Sequence, residues 1–179
     1  MSRERALYPN VKEKLDNDEW VTMYVEGIVG VPPYFYTIGL SKLFDIPEII
    51  VFGIDKADIN DLAEKVANIV ALNAGMMDEE IAHEGVLSQE VCFHMVGSRQ
   101  KTSLMDGLYC LEGKAPHSVD VYQMVVADEN NLFPWEEGVS DELVKKQPLL
   151  TPKRSFHVSK EVALTPIYQE KRYGQPIYH

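Results

Sequence analysis

Between residues 58 and 75, apolar side chains recur every three or four positions, which is the spacing of one face of an α-helix. The stripe consists of Ile59, Leu62, Ala63, Val66, Ile69 and Val70. Asp58 offers a side-chain oxygen as an N-cap, and Gly75 stands where a left-handed C-terminal cap is expected. A helix with one apolar face must pack against a second layer, so the rest of the chain has to supply one.

Segments with β-branched and aromatic residues in alternation supply that layer. They predict strands at residues 20–29, 34–40, 48–54, 91–96 and 119–127, with a hairpin where Gly30, Pro32 and Pro33 separate the first two. Short helices are weaker predictions at residues 11–15 and 102–111, and residues 76–88 are expected to be a loop or short helix. Strands and helices do not alternate regularly. The predicted class is α+β, a curved, mainly antiparallel sheet or partly closed barrel with one long packed helix.

The 179 residues suit one domain, which we expect at residues 20–151, between an N-terminal segment (1–19) and a C-terminal tail (152–179). Residues 1–151 carry 12 basic and 26 acidic side chains, whereas the tail carries 5 basic and 2 acidic ones. The tail also contains several aromatic residues. A cationic, partly apolar tail beside an anionic body predicts docking, either on its own domain or in a homo-oligomer.

The overall charge argues against several classes of partner. The formal net charge of −11 predicts repulsion from phosphate backbones and anionic lipid, so we expect neither nucleic acid nor a membrane as a partner. Cys92 and Cys110 are the two cysteines and form no disulfide framework, and residues 1–18 lack the apolar run of a signal peptide. These features predict a cytoplasmic protein.

The first candidate site residues are two hydroxyl side chains and one carboxylate. Tyr36 and Thr37 lie on opposite faces of a predicted strand, where each could bind either a polar ligand or a buried backbone group. Glu48 follows Pro47 and opens a buried strand, where an ion is costly unless it is paired. It is either a general base or ligand anchor, or a cap for nearby backbone N–H groups, and the cap is the preferred interpretation.

The remaining candidates lie further along the chain. His94 shares a strand face with Cys92, but residues two apart on a strand are separated by roughly 7 Å, so no direct hydrogen bond is expected between them. Trp135 either lines a pocket, with Glu136 and Glu137 at its mouth, or plugs the end of the sheet. Gln123 has the same two alternatives. No metal and no cofactor are expected, because the sequence has no metal-ligand spacing and no glycine-rich phosphate loop.

Five short motifs occur in an order and spacing that resemble the bacterial domain-of-unknown-function family DUF4262. They are FYTIGL at 35–40, PEIIVFG at 47–53, YQMV at 122–125, FPWE at 133–136 and QPLL at 147–150. The resemblance covers roughly residues 20–150. The chain departs from the family pattern at Glu136, where the family usually has an aspartate, and the tail lies outside the resemblance. The family supplies no activity, substrate or cofactor to carry over.

Two functions from different classes remain open. The favoured one is a non-catalytic ligand-binding or protein-interaction domain, an accessory in a stress or conflict system, because the sequence has no compact catalytic constellation. The alternative is a small-molecule hydrolase that uses Glu48 or Glu136 as general base, with Tyr36, Thr37 and His94 around the pocket. A third hypothesis, a flavin-binding split barrel, depends only on the order of strands and helix.

Overall fold

A computed structural model describes residues 9–73, 75–79, 81–84, 86–111 and 114–150, together with the backbone of 159–163. The helices are α1 (Pro9–Asp16), α2 (Leu40–Leu43), α3 (Ile59–Leu72), α4 (Ser98–Leu104) and α5 (Asp141–Lys146). The strands are β1 (Val21–Val25), β2 (Tyr34–Ile38), β3 (Glu48–Phe52), β4 (Ile81–His83), β5 (Val91–Met95), β6 (Val121–Val126) and β7 (Ser159–Ala163). Single 3₁₀ turns occur at Lys56–Asp58, Asp106–Cys110 and Pro116–Ser118.

The strands form one mixed sheet in the order β1-β2-β3-β6-β5-β4-β7. Six of these strands lie between residues 21 and 126. The seventh, β7, comes from the C-terminal part of the chain and pairs with β4. Neighbouring strands run antiparallel except for the pairs β3–β6 and β4–β7, which run parallel. Of the two architectures expected, a curved, mainly antiparallel sheet and a partly closed barrel, the molecule has a sheet that is not closed. The α+β class is confirmed.

Each face of the sheet has its own apolar layer, because successive side chains on a strand point to opposite sides. On one face, Ile49, Val51, Phe93 and Met124 pack with the buried side of α3. On the other face, Tyr36, Ile50 and Phe52 pack with α1 and with residues 105–111. A third cluster on that second face, around Cys92, Val125 and Phe133, lies over β5 and β6. All seven candidate site residues lie on strands of this sheet or in the segment, beginning at Phe133, that covers its second face.

Helix α3 confirms the prediction made from its apolar stripe, since all six of the stripe residues are buried. Gly75 follows the helix with φ of 74°, and its N–H donates to the carbonyl of Val70, as expected for a left-handed cap. The N-cap prediction was wrong. Asp58 ends a 3₁₀ turn with φ of −97° and ψ of −2°, and its side chain makes no capping hydrogen bond. Capping needs an extended residue at that point.

The structure confirms some of the remaining predicted strands and helices and differs from others. The five predicted strands and the first hairpin are present, with shorter bounds. Four helices or strands were missed, namely α2, which begins at Leu40 where the end of a strand was expected, β4 within residues 76–88, α5 beyond Pro134 and β7 at Ser159–Ala163. Predictions about residues 1–8, 151–158 and 164–179 fall outside the described part of the chain, and the expected domain limits remain predictions. Among the described residues, no helix is long and apolar enough to cross a membrane.

Candidate functional site

Glu48 lies where β3 begins, and its carboxylate is completely buried. Oε1 accepts hydrogen bonds from the backbone N–H groups of Gly39 (2.9 Å) and Ser41 (3.0 Å) and from the Ser41 hydroxyl (2.9 Å). Oε2 accepts one from the Thr37 hydroxyl (2.7 Å). Donors of this kind offset the cost of burying a carboxylate. Glu48 therefore caps the turn that leads into α2, as the cap interpretation predicts.

Thr37 and Gly39 show how the chain is shaped around this carboxylate. The Thr37 hydroxyl donates to Glu48 and accepts from the backbone N–H of Ile49 at 2.9 Å, so it links β2 to β3 where their register ends. Gly39 has φ of 117°, and a Cβ there would lie 2.8 Å from Leu15 Cδ2 and 2.9 Å from Trp20 Cβ. Only glycine allows this sharp change from strand to helix beneath Trp20.

Tyr36 lies on the opposite side of β2 and is also buried. Its hydroxyl accepts a hydrogen bond from the backbone N–H of Gly107 at 3.0 Å. A Cβ at position 107 would approach that hydroxyl to 2.7 Å and Ile38 Cδ1 to 2.5 Å, so the 3₁₀ turn fits over β2 only with glycine at this position. The Tyr36 hydroxyl thus fixes the 105–111 layer on the sheet.

The prediction that Cys92 and His94 are too far apart for contact was wrong. Cys92 Sγ lies 3.3 Å from His94 Nε2, within hydrogen-bonding distance for sulfur. The expected separation of roughly 7 Å applies to backbone positions, whereas the imidazole reaches back along its own strand. Both side chains are buried on the face of β5 that also carries the third apolar cluster.

Burial keeps this pair neutral. Burial raises the pKa of the Cys92 thiol well above its ordinary value, and the nearby Glu136 carboxylate raises it further. Burial also lowers the pKa of His94, a change that the Glu79 carboxylate partly opposes. A thiolate is the nucleophilic form of cysteine, so a thiol held protonated beside a neutral imidazole is unsuited to nucleophilic catalysis.

A covering segment closes this face of the sheet, and we call it the strap (residues 133–150). The Trp135 ring stacks on Phe133 with a centroid separation of 4.9 Å and meets the His94 ring edge-on at 5.4 Å. Glu136 Oε2 accepts the backbone N–H of Phe133 at 2.8 Å, which closes the turn that presents Trp135. Trp135 and Glu136 thus lie against His94 and Cys92.

Two glutamine side chains fasten the strap to β6. The Gln123 amide donates to the carbonyl of Pro148 at 2.8 Å and accepts from the N–H of Leu150 at 2.9 Å. The strap in turn supplies Gln147, whose side-chain oxygen accepts from the N–H of Val126 and whose side-chain nitrogen donates to the carbonyl of Val126, each at 2.8 Å. Val126 lies beyond Met124, where the pairing of β6 with β3 ends, so the Gln147 amide acts as a strand partner there.

Six of the seven predicted residues therefore fall into two separate groups, and Tyr36 belongs to neither. His94 and Gln123 lie on the sheet where the strap, with Trp135 and Glu136, covers it, and His94 and Gln123 are direct partners in the β5–β6 register. Thr37, near the end of β2, and Glu48, at the beginning of β3, lie beside the turn into α2. Tyr36 shares the register row of Gln123 and His94, but Ile50 separates it from Gln123.

Sequence reasoning missed two residues of structural importance, Ser41 and Gln147. Ser41 carries a weak signal, a hydroxyl residue just after Gly39 at the beginning of a helix. Gln147 belongs to a recognised motif, but nothing local reveals that its amide pairs with Val126. Within the described ranges, no three His, Cys, Asp or Glu side chains form a group that could hold a metal ion.

Comparison with known proteins agrees with these motifs. The model of a domain of unknown function, DUF4262, matches residues 14–140, which is most of the chain. No curated protein and no solved structure matches the chain. The matched region contains the Glu48 cap, the β5–β6 pair and the Trp135 turn, while the end of the strap lies beyond it. The chain therefore belongs to the DUF4262 family.

Proposed function

We propose that the chain is a non-catalytic protein-interaction domain. The observation that carries this proposal is that the candidate polar side chains are already hydrogen-bonded within the fold. Glu48, Tyr36, Gln123 and Glu136 all hydrogen-bond to backbone groups of their own fold. A general base has to reach a substrate proton, and carboxylates occupied in this way favour interaction over hydrolysis.

The tip of the first hairpin supplies a contact surface. Ile28 and Val31 exchange two backbone hydrogen bonds of 2.9 Å around Val29 and Gly30, and Gly30 has φ of 85°. Ile28 is 73% exposed and Val29 is fully exposed. Single exposed apolar residues are ordinary, but two adjacent ones on a hydrogen-bonded turn form a small apolar projection. Such a projection suits insertion into an apolar pocket of a protein partner.

The rigidity of the tip supports the same role. Gly27 packs closely beside Pro33, because a Cβ at position 27 would lie 2.9 Å from Pro33 Cδ. A preformed turn loses less conformational entropy on binding than a free loop. An accessory role in a stress or conflict system is compatible with such a domain. It remains part of this proposal.

Replacing both tip residues tests the proposal. The double variant Ile28→Ser, Val29→Ser should unfold within about 0.5 kcal/mol of the wild type, because both side chains are exposed. It should lose at least about tenfold in affinity for the protein that the wild-type chain captures from cells, because about 1.4 kcal/mol of apolar contact is removed. The measurement is quantitative affinity capture, followed by titration of the purified captured component.

Val144→Ser provides a matched control, since Val144 is a partly exposed valine on α5. This variant should bind as the wild type does. The proposal would be contradicted if the tip variant bound with unchanged affinity, or if the wild-type chain captured no component in stoichiometric amount.

A further inference from the structure

Within the part of the chain that the structure describes, β1 is an edge strand without the usual protection. Its sequence, VTMYV, contains no charge and no proline, and it pairs with β2 in unbroken register from Val21↔Ile38 to Val25↔Tyr34. Among the described residues, no strand pairs with its outer side. Natural edge strands are normally shortened, bulged, charged or covered, because their unpaired N–H and C=O groups attract another strand. The unpaired N–H and C=O groups of the β1 edge are therefore suited to pairing with an extended segment.

The opposite edge of the sheet shows that the C-terminal region can supply such a segment. Strand β7 pairs in parallel with β4, and 16 residues of sequence follow Ala163. Those 16 residues lie outside the described part of the chain. Within them, residues 167–173 read IYQEKRY, a run of seven between Pro166 and Gly174 that contains neither proline nor glycine. Isoleucine and tyrosine at its ends favour an extended strand.

The proline positions favour one bonding side of this segment. In an extended strand, the N–H groups of alternate residues point to the same side. Pro166 and Pro176 are both even-numbered, so neither interrupts the row of N–H groups on Ile167, Gln169, Lys171 and Tyr173. Prolines in sheets are tolerated on the side that makes no ladder bonds.

Charge favours the same pairing. Glu19 and Glu26 flank β1, and Glu26 is exposed. The body up to residue 151 has 26 acidic and 12 basic side chains, whereas Lys171 and Arg172 lie in the middle of the 167–173 segment. Attraction between the two adds a modest, salt-sensitive contribution to backbone pairing.

Distance decides whether the segment comes from the same copy. Six strand spacings separate β7 from β1, which is about 29 Å at about 4.8 Å per spacing. Residues 164–166 are the three that separate Ala163 from the segment, and three extended residues span only about 10 Å. The segment therefore cannot reach the β1 edge of its own sheet.

We propose that residues 167–173 of one copy add as a strand to the β1 edge of a second copy. A reciprocal exchange about a two-fold axis closes the assembly as a dimer. The inference rests on the proposed role as an interaction domain, and it names a second copy of the chain as one partner. The contact surface is the β1 edge and not the apolar tip at Ile28 and Val29.

Sedimentation equilibrium of the full chain tests this assembly with two proline variants. The wild type should have the mass of two chains. Gln169→Pro removes an N–H from the bonding side and should raise the dimer dissociation constant at least about tenfold. Glu170→Pro is the matched control, because its N–H points away. It should remain dimeric, and the loss of its negative charge strengthens rather than weakens attraction to the acidic body.

Hydrogen exchange identifies the receiving surface in the same samples. Amides of Val21–Val25 should exchange more slowly in the wild type and in Glu170→Pro than in Gln169→Pro. A monomeric wild type, a dimer that Gln169→Pro leaves intact, or unchanged β1 exchange would each overturn the inference. The Ile28→Ser, Val29→Ser variant should dimerise normally. A monomeric wild type that still shows tip-dependent binding would reject the tail exchange alone and leave the interaction role standing.

Discussion

Glu48 illustrates how a carboxyl side chain can lie inside this fold. Isolating a carboxylate from water costs several kcal/mol, and two backbone amides and two hydroxyls around Glu48 offset that cost. The arrangement includes Gly39, which has a positive φ at the point where its own N–H and that of Ser41 donate to the carboxylate. The same side chain that resembles a general base in sequence is therefore part of the framework.

The buried histidines give a pH prediction. Burial lowers the pKa of both His83 and His94. A hydrogen bond to the Asp78 backbone, and then the Asp78 carboxylate, oppose the change in the pKa of His83, and the Glu79 carboxylate opposes it for His94. In the unfolded chain both imidazoles bind a proton near pH 6.5, whereas in the folded chain they bind it only at a lower pH. The free energy of unfolding should therefore fall as the pH drops below about 6.5.

His94→Gln separates this contribution from the titration of other groups. The variant has one fewer histidine to protonate on unfolding, so its free energy of unfolding should fall less steeply between about pH 7 and pH 5. Urea denaturation at a series of pH values measures both slopes. Parallel curves for the variant and the wild type would show that burial of His94 does not contribute to acid sensitivity.

At the scale of elements, α3 and the strap hold the two faces of the sheet. Helix α3 depends on apolar packing, and the strap depends on paired amides as well as on the Phe133 and Trp135 rings. Helix α3 could be predicted because its stripe lies within one continuous run of sequence. The strap could not, because the amides of Gln123 and Gln147 find their partners across more than 20 residues.

Leu62→Ala tests the packing of α3. The Leu62 side chain is buried in the cluster that also contains Val51 and Phe93, so its truncation leaves a cavity against the sheet. The variant should lose about 2–5 kcal/mol of unfolding free energy, measured by urea denaturation. Glu64→Ala on the same helix is a control, because Glu64 is only partly buried and lies outside the stripe. A loss below about 0.5 kcal/mol for Leu62→Ala would mean that α3 does not face the core.

Short elements were harder to predict than α3 for a physical reason. β4 has three residues, and it pairs with β5 through His83↔Val91. Three residues are too few to establish a period of two, so tertiary pairing decides their conformation. Asp58 was misread because the preceding 3₁₀ turn changes the backbone at the helix start. Neither the pairing of β4 nor the 3₁₀ turn before α3 can be recognised from the order of apolar and polar residues in the sequence.

At the scale of the whole molecule, the sheet order brings distant segments together. Glu48 pairs with Val121 in the parallel β3–β6 contact, and the intervening chain crosses the sheet and returns through β4 and β5. Sequence patterns predicted most of the strands and the fold class, but they contain no information about which strands are neighbours. For that reason the sequence could name His94, Gln123 and Trp135 without revealing that they meet while Glu48 does not.

The free energy of unfolding of Glu48→Gln tests the central claim most directly, namely that the candidate catalytic carboxylate is structural. A glutamine keeps one oxygen for the Gly39 and Ser41 donors but places an NH₂ group against the Thr37 hydroxyl, which now donates to the carboxylate and already accepts from Ile49. It also loses the negative charge that the donors stabilise, so the variant should lose at least about 2 kcal/mol. Glu137→Gln, an exposed carboxylate on the strap, should change stability by less than about 0.5 kcal/mol. A Glu48→Gln variant as stable as the wild type, or more stable, would contradict the account, because that behaviour is typical of a side chain retained for activity at a cost in stability.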